Sequence, residues 1–222
     1  NQMNITGGGT VTVGSNGVGM YAENSNIVLS NLIMNLNGDN ALGYYIQGNN
    51  SSFSGTGTVN ISGQNIVLFN INSTSPTIDF SGITLGTEAP GSSYILGNLT
   101  NAKIIYNSAA NLKSNGVLLN GINTNVVLGS SANITAAPGE TGIAGVVLSG
   151  WYTGASPYTP GIDGQNNGTI ALGDSSVGLY GSNGARLENT NIVTIGNSGL
   201  GLSSSDAGSL IKNSGVITVG SN

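Results

Sequence analysis

Nine carboxylates and four cations are the only formal charges along these 222 residues, and there is no histidine and no cysteine. That inventory removes the commonest general base, the commonest metal ligand and every thiol chemistry at once. What remains is acid chemistry. Glycoside hydrolysis needs two carboxylates a few ångströms apart, and lyases need clustered acids for calcium beside an Arg or Lys base. The acids are Glu23, Asp39, Asp79, Glu88, Glu140, Asp163, Asp174, Glu188 and Asp206, spread along the chain about one per 24 residues. Such dispersal reads as solvated charge at turns. Only Glu140 with Asp163 has the spacing to meet across neighbouring turns of chain, and no cation lies near either in sequence. The expectation is a protein that is not an enzyme and carries no metal or cofactor. The cations Lys103, Lys113, Arg186 and Lys212 are equally scattered. A surface that tracks phosphates needs them clustered, so nucleic acid is not expected as a partner.

The other candidate for recognition is aromatic. "SGWYTGASPYTPGIDGQ", from Ser149 to Gln165, holds the one Trp, two of the eight Tyr and two of the five Pro. Trp151, Tyr152 and Tyr158 combine flat apolar faces with polar tips, the side chains that anchor protein or sugar ligands, and Asp163 adds a polar contact. The competing reading is a flap packed back on the body of the protein. Two shorter insertions, at about 87–93 and 136–141, extend the same face if their turns align with the loop at 149–165. The sequons at Asn4, Asn60, Asn98, Asn133 and Asn167 are read as turn structure in a chain this rich in Asn, Ser and Thr.

The elements that must position these residues repeat. "GTVTVGSNGVGMYAEN" from Gly9 and "GTIALGDSSVGLYGSN" from Gly168 agree at seven of sixteen positions, with most mismatches like for like. "TIALG", "IVTIG" and "VITVG" end at Gly173, Gly196 and Gly220, steps of 23 and 24 residues. "VGMY" at Val18, "LGYY" at Leu42 and "IVLF" at Ile66 carry the same step through the front half. Within a unit the apolar residues form short runs of period two, rich in β-branched side chains, separated by Gly and Asn turn clusters. No stretch has helical spacing.

A unit of about 24 residues with three short strands cannot close a core alone, but stacked units can. The pattern therefore predicts an all-β, parallel β-helix of about nine rungs, one segment spanning 1–222. Equal positions in successive rungs lie above one another, so Val13, Leu36, Ile61, Leu85, Leu172, Ile195 and Val219 are expected in one inward ladder. Asn24, Asn183, Asn189 and Asn213 are expected to ladder through their amides. Hexapeptide helices and calcium-binding nonapeptide rolls lack their patterns here; a two-sheet sandwich uses similar strands but requires no phase-locked repeat. An ice-binding ladder of threonines also lacks its pattern, since Thr10 and Thr12 have no consistent counterparts.

"GTIALGDSSVGLYGSNGARLENTNIVTIG" resembles the passenger repeats of type V autotransporters, in particular large fusobacterial outer-membrane adhesins of the RadD type. Gly168 to Ile170, Gly173, Ser176 to Gly178 and Tyr180 carry the resemblance, and Gly9 to Val11, Gly14, Val18, Gly19 and Tyr21 repeat it. It covers both ends well and residues 83–167 poorly. The resemblance implies a right-handed β-helix displayed at the cell surface of a Gram-negative bacterium. There it would be outer membrane anchored through a C-terminal barrel not in this sequence, and would serve in cell adhesion and virulence. The expected partners are a host or bacterial surface protein or glycan, with no membrane insertion by this segment. The sequence starts and stops within a rung, so it is read as part of a longer secreted passenger with possible end-to-end self-association. A pure spacer rod is the alternative, and a polysaccharide lyase or hydrolase a more distant one.

Overall fold

The computed structural model describes residues 4–73, 79–151 and 161–221, all strand and turn. In chain order the strands are β1 (Asn4–Val13), β2 (Val18–Glu23), β3 (Asn26–Leu36), β4 (Leu42–Gln47), β5 (Ser52–Ile61), β6 (Ile66–Asn72) and β7 (Ile83–Glu88). Then come β8 (Tyr94–Thr100), β9 (Lys103–Tyr106), β10 (Ala109–Leu112), β11 (Gly116–Ile122), β12 (Asn125–Leu128), β13 (Asn133–Ala136), β14 (Ala144–Ser149) and β15 (Gly164–Asn166). The last are β16 (Thr169–Leu172), β17 (Val177–Ser182), β18 (Arg186–Asn189), β19 (Ile192–Ile195), β20 (Leu200–Ser204), β21 (Leu210–Asn213) and β22 (Val216–Val219).

Every pairing between them is parallel, and each joins a strand to its counterpart one turn later. The protein is a parallel β-helix. The second face of the coil is one sheet of eight strands, β2-β4-β6-β8-β11-β14-β17-β20. The first face is built from β1-β3-β5-β7 and β10-β13-β16-β19-β22, and the third from β9, β12, β15, β18 and β21. The coil completes eight turns; β22 only begins the ninth that the repeat predicted. The partners Val18, Leu42, Val67, Ile95, Val117, Ala144, Val177 and Leu200 set the step at 22 to 28 residues, except for 33 across the turn carrying Trp151. Aligning units by their first apolar residue misses this register by one at Ile66, Tyr94, Gly116 and Gly145, because the corners before them differ in length.

The early turns depart from the three-strand expectation. In β1, β3 and β5 the third and first faces run together, and the bend is a register shift at Gly7/Gly9 and Leu29/Leu32 rather than a loop. At the corners on either side of the second face, left-handed residues recur from turn to turn. Between the first and second faces these are Asn16, Asn40, Asn65, Asn115, Ser175 and Ser198; between the second and third they are Asn24, Asn101, Asn123, Asn183 and Asp206. Asn tolerates this region better than other side chains. The N–H of the corner residue then reaches a carbonyl one turn away, as in Asn16 to Asp39 at 2.9 Å and Asn123 to Ser149 at 2.9 Å. Asn24 works this way, its N–H reaching the Gln47 carbonyl at 3.0 Å, whereas the Asn183 N–H reaches the Asp206 carboxylate at 3.4 Å and its side-chain amide donates to Ser149 Oγ rather than joining an amide ladder.

Amide ladders do run through the expected Asn189 and Asn213, and also through the corner residues Asn16, Asn40 and Asn65, Asn40 donating to Asn16 at 3.2 Å and Asn65 to Asn40 at 3.4 Å. Asn166 donates to Asn189 at 2.8 Å and Asn189 to Asn213 at 2.8 Å, with Asn166 and Asn189 fully buried. Asn98 donates to Asn70, and Asn120 to Asn98. The core is a column of aliphatic side chains in which Val13, Leu36, Ile61, Leu172 and Ile195 are buried. Val219, in the edge strand β22, is 40% exposed. Leu85 pairs with Val59 instead of Ile61, displaced by an irregularity in β7. Inside the middle turns an aromatic stack that the repeat did not signal runs along the axis: Tyr44 on Phe69, Phe69 on Phe80, then Phe80 against Tyr106, with centroids 4.7, 4.7 and 5.6 Å apart. The recurring Gly of the "VGLY" phrase is steric. A Cβ on Gly145 would lie 2.5 Å from the Gly178 carbonyl oxygen, and one on Gly178 equally close to that of Gly201.

Two outcomes check this packing. Ile195→Asp, which buries an unpaired charge, should unfold the surrounding turns at a cost of several kcal/mol, whereas outward-facing Thr194→Asp should stay within about 0.5 kcal/mol in urea denaturation. Asn189→Ala strips Asn166 of its acceptor inside the wall and should cost about 1–3 kcal/mol in the same assay.

Candidate functional site

Asp163 sits just before β15 and is 1% exposed. Its carboxylate takes a forked pair of bonds from Arg186, Nε to Oδ2 and Nη2 to Oδ1, both 2.9 Å, and a third from the Arg186 backbone N–H. The two backbones also bond, Asp163 N–H to Arg186 carbonyl at 2.7 Å. An ion pair with this geometry is held as a unit, and the bonds from Asp163 push the Arg186 pKa further up, so the guanidinium stays charged. Sequence reasoning offered Asp163 as a direct polar contact. Burial corrects that: Asp163 positions Arg186, and Arg186 reaches the surface.

The guanidinium carbon lies 5.9 Å from the ring centre of Trp151, within cation–π range. Trp151 is nevertheless 57% exposed. The indole is therefore presented to solvent on a charged shelf and lies beside Gly184, where a Cβ would be in ordinary contact with the ring at 3.7 Å. Tyr152 and Tyr158, the other aromatic candidates, lie outside the described residues. Arg186 went unnoticed in sequence because 35 residues separate it from Trp151. Only the stacking register brings turn onto turn.

Glu140 and Asp163 do not form the acid pair that their spacing suggested. Glu140 precedes β14 at the corner between the first and second faces, and Asp163 follows β14 beyond the next corner. The insertions around 87–93 and 136–141 likewise sit at the first of these corners, so they do not extend the Trp151 face. They flank a separate pocket of about 370 Å³, lined by Glu88, Ala89, Pro90, Gly91, Ser92, Lys113, Ser114 and Glu140.

Glu88 reaches this pocket through a bulge. Leu85 pairs with Val59 and Glu88 with Ile61, so β7 spends three residues where β5 spends two, and parity flips. An acid thereby takes a place that the ladder gives to Leu36 and Ile61. Glu88 Oε2 and the hydroxyl of Ser92, itself 7% exposed, have no hydrogen-bond partner among the described residues. Tyr94 acts to lower the Glu88 pKa and accepts the Lys113 backbone N–H at 3.1 Å. Glu140 is fully engaged: Oε2 accepts from Ser114 N–H and Oγ–H, both 2.7 Å, and Oε1 lies 3.4 Å from Lys113 Nζ.

The two acids are pushed in opposite directions. Burial raises Glu88 to about 7, the negative charge of Glu140 adding to the effect against Tyr94 and Lys113. The Ser114 bonds, with help from Lys113, hold Glu140 below the ordinary range. Because Glu88 ionises less readily folded than unfolded, its contribution is intact below the ordinary value of 4.5 and is lost as pH rises towards 7. Glu140 and Glu188, both lowered, act oppositely, losing their contribution as pH falls through their folded values. Comparison with a variant isolates Glu88: Glu88→Gln should be more stable than the parent at about pH 8, and the difference should vanish near pH 4 in thermal melts. No protein-family model matches this chain, and no curated protein or solved structure matches it either.

Proposed function

We propose that this chain is an adhesin segment, a surface-displayed rod that attaches its bearer to other bacteria or to host surfaces without catalysis. The observation that carries the reading is Trp151: a large aromatic more than half exposed, yet seated on an arginine that a buried aspartate locks in place. An indole fixed in that way has little rotational freedom to lose on contact, which is how rigid aromatic anchors earn their place at interfaces. The rod beneath does not need it, since Trp151 contributes to no core ladder. Placement on the surface of a Gram-negative cell, as part of an autotransporter passenger, belongs to the same proposal and rests on the repeat phrase "GTIALGDSSVGLYGSN".

The test is attachment. Labelled protein should bind bacterial or epithelial cells, and Trp151→Ala should weaken that binding at least about tenfold, as for an interface anchor, with the melting temperature almost unchanged. Attachment that is indifferent to Trp151→Ala would remove this corner as the contact. Failure of the folded parent to bind any cell surface would favour a spacer. Arg186→Met should lower stability by about 3 kcal/mol or more, because it removes the guanidinium that offsets the buried charge of Asp163.

A further inference from the structure

The pocket between the 87–93 and 136–141 insertions lies at a different corner from Trp151, and the account of that residue makes no use of it. Its polar atoms divide into two sets. Glu140 has both oxygens committed to Ser114 and Lys113. Glu88 Oε2 and Ser92 Oγ, by contrast, are buried, on two residues that line the pocket, without a hydrogen-bond partner among the described residues. A carboxyl oxygen and a hydroxyl left in that state carry a desolvation cost that a hydrogen-bonding ligand relieves.

We propose that this pocket binds a single neutral saccharide unit, whose ring hydroxyls engage Glu88 Oε2, Ser92 Oγ and the Lys113 ammonium. Three features select this chemistry. The local charge is one cation already paired with one carboxylate plus a second acid, a balance that repels anions. Ring hydroxyls both donate and accept, so one ligand type satisfies an acceptor at Glu88, a hydroxyl at Ser92 and a donor at Lys113. A volume of about 370 Å³ is at the small end of ligand sites and suits one ring rather than a chain of them. Ala89 and Pro90 supply apolar surface for the C–H face of such a ring.

Glu88 suits the role near neutrality, where a substantial share of it remains the acid and donates as well as accepts; the groups that set this balance are Tyr94, Lys113 and Glu140. The site is built to hold rather than to cleave. A glycosidase needs a second carboxylate free to attack or to activate water, and Glu140 has given both of its oxygens to Ser114 and Lys113.

Protein-observed NMR of the whole chain tests the proposal, using methyl glycosides of glucose, galactose, mannose and N-acetylglucosamine, with methylammonium as the cationic probe. At least one glycoside should give saturable shifts confined to residues 88–92, 113–115 and 140, with millimolar affinity. Ser92→Ala and Lys113→Met should each weaken it about fivefold or more, the loss of one hydrogen bond, while preserving the spectrum of the remaining rod. Trp151→Ala should leave these shifts unchanged. No shift up to about 50 mM of any glycoside, a response to methylammonium alone, or glycoside binding untouched by both pocket variants would overturn the proposal.

Discussion

The paired strands of this protein each lie over their counterparts one turn of chain away, and that vertical register governs the rest. Parallel strands hydrogen-bond only to the turns above and below, so no single turn has a structure of its own. The register obliges like to stack on like. An inward aliphatic side chain meets another, giving the column from Val13 through Leu36 to Ile61; an amide meets another, giving Asn166, Asn189 and Asn213. It also requires that each turn bend at the same places, so a left-handed residue recurs at the corners, most often Asn. Faces cannot absorb extra residues without losing register. Corners can, and both candidate sites are found where corners have lengthened.

The two sites use that freedom differently. At the Trp151 corner an ion pair between Asp163 and Arg186 bridges two successive turns beside the exposed indole. Its product is a projecting aromatic. At the other corner the insertions at 87–93 and 136–141 stand about the intervening Lys113 and Ser114, and their product is a recess. A bulge in β7 sets an acid in it by shifting parity once. Such a change is inexpensive in backbone terms and large in chemical terms, since it exchanges an aliphatic position for a carboxyl.

The architecture was legible because its signal is periodic: the steps of 23 and 24 residues between "TIALG", "IVTIG" and "VITVG" are the register itself. The inward faces of β16 and β19 follow from strand alternation alone. What escaped reading depends on single-residue irregularities. Leu85 was assigned against Ile61 by counting, but the β7 bulge gives that partner to Glu88. Asn24 and Asn183 looked like ladder amides because composition does not distinguish a corner Asn whose amide meets another, as at Asn16, Asn40 and Asn65, from one whose amide does not. At the candidate site Trp151 was visible as a compositional outlier, whereas Arg186 was not, being an ordinary strand residue until the next turn is laid on it. Asp163 was visible too, but its burial follows from Arg186 and so was hidden with it.

The central claim is that a rigid solenoid presents an immobilised aromatic to solvent, and Trp151 is the chain's own reporter because it is the one Trp present. Time-resolved fluorescence anisotropy with acrylamide quenching reads both halves of that claim in one sample. The account predicts emission and quenching typical of a water-exposed indole, together with anisotropy that decays only with tumbling of the whole rod. A blue-shifted, poorly quenched indole, or a rapid depolarisation showing free rotation of the ring, would contradict it.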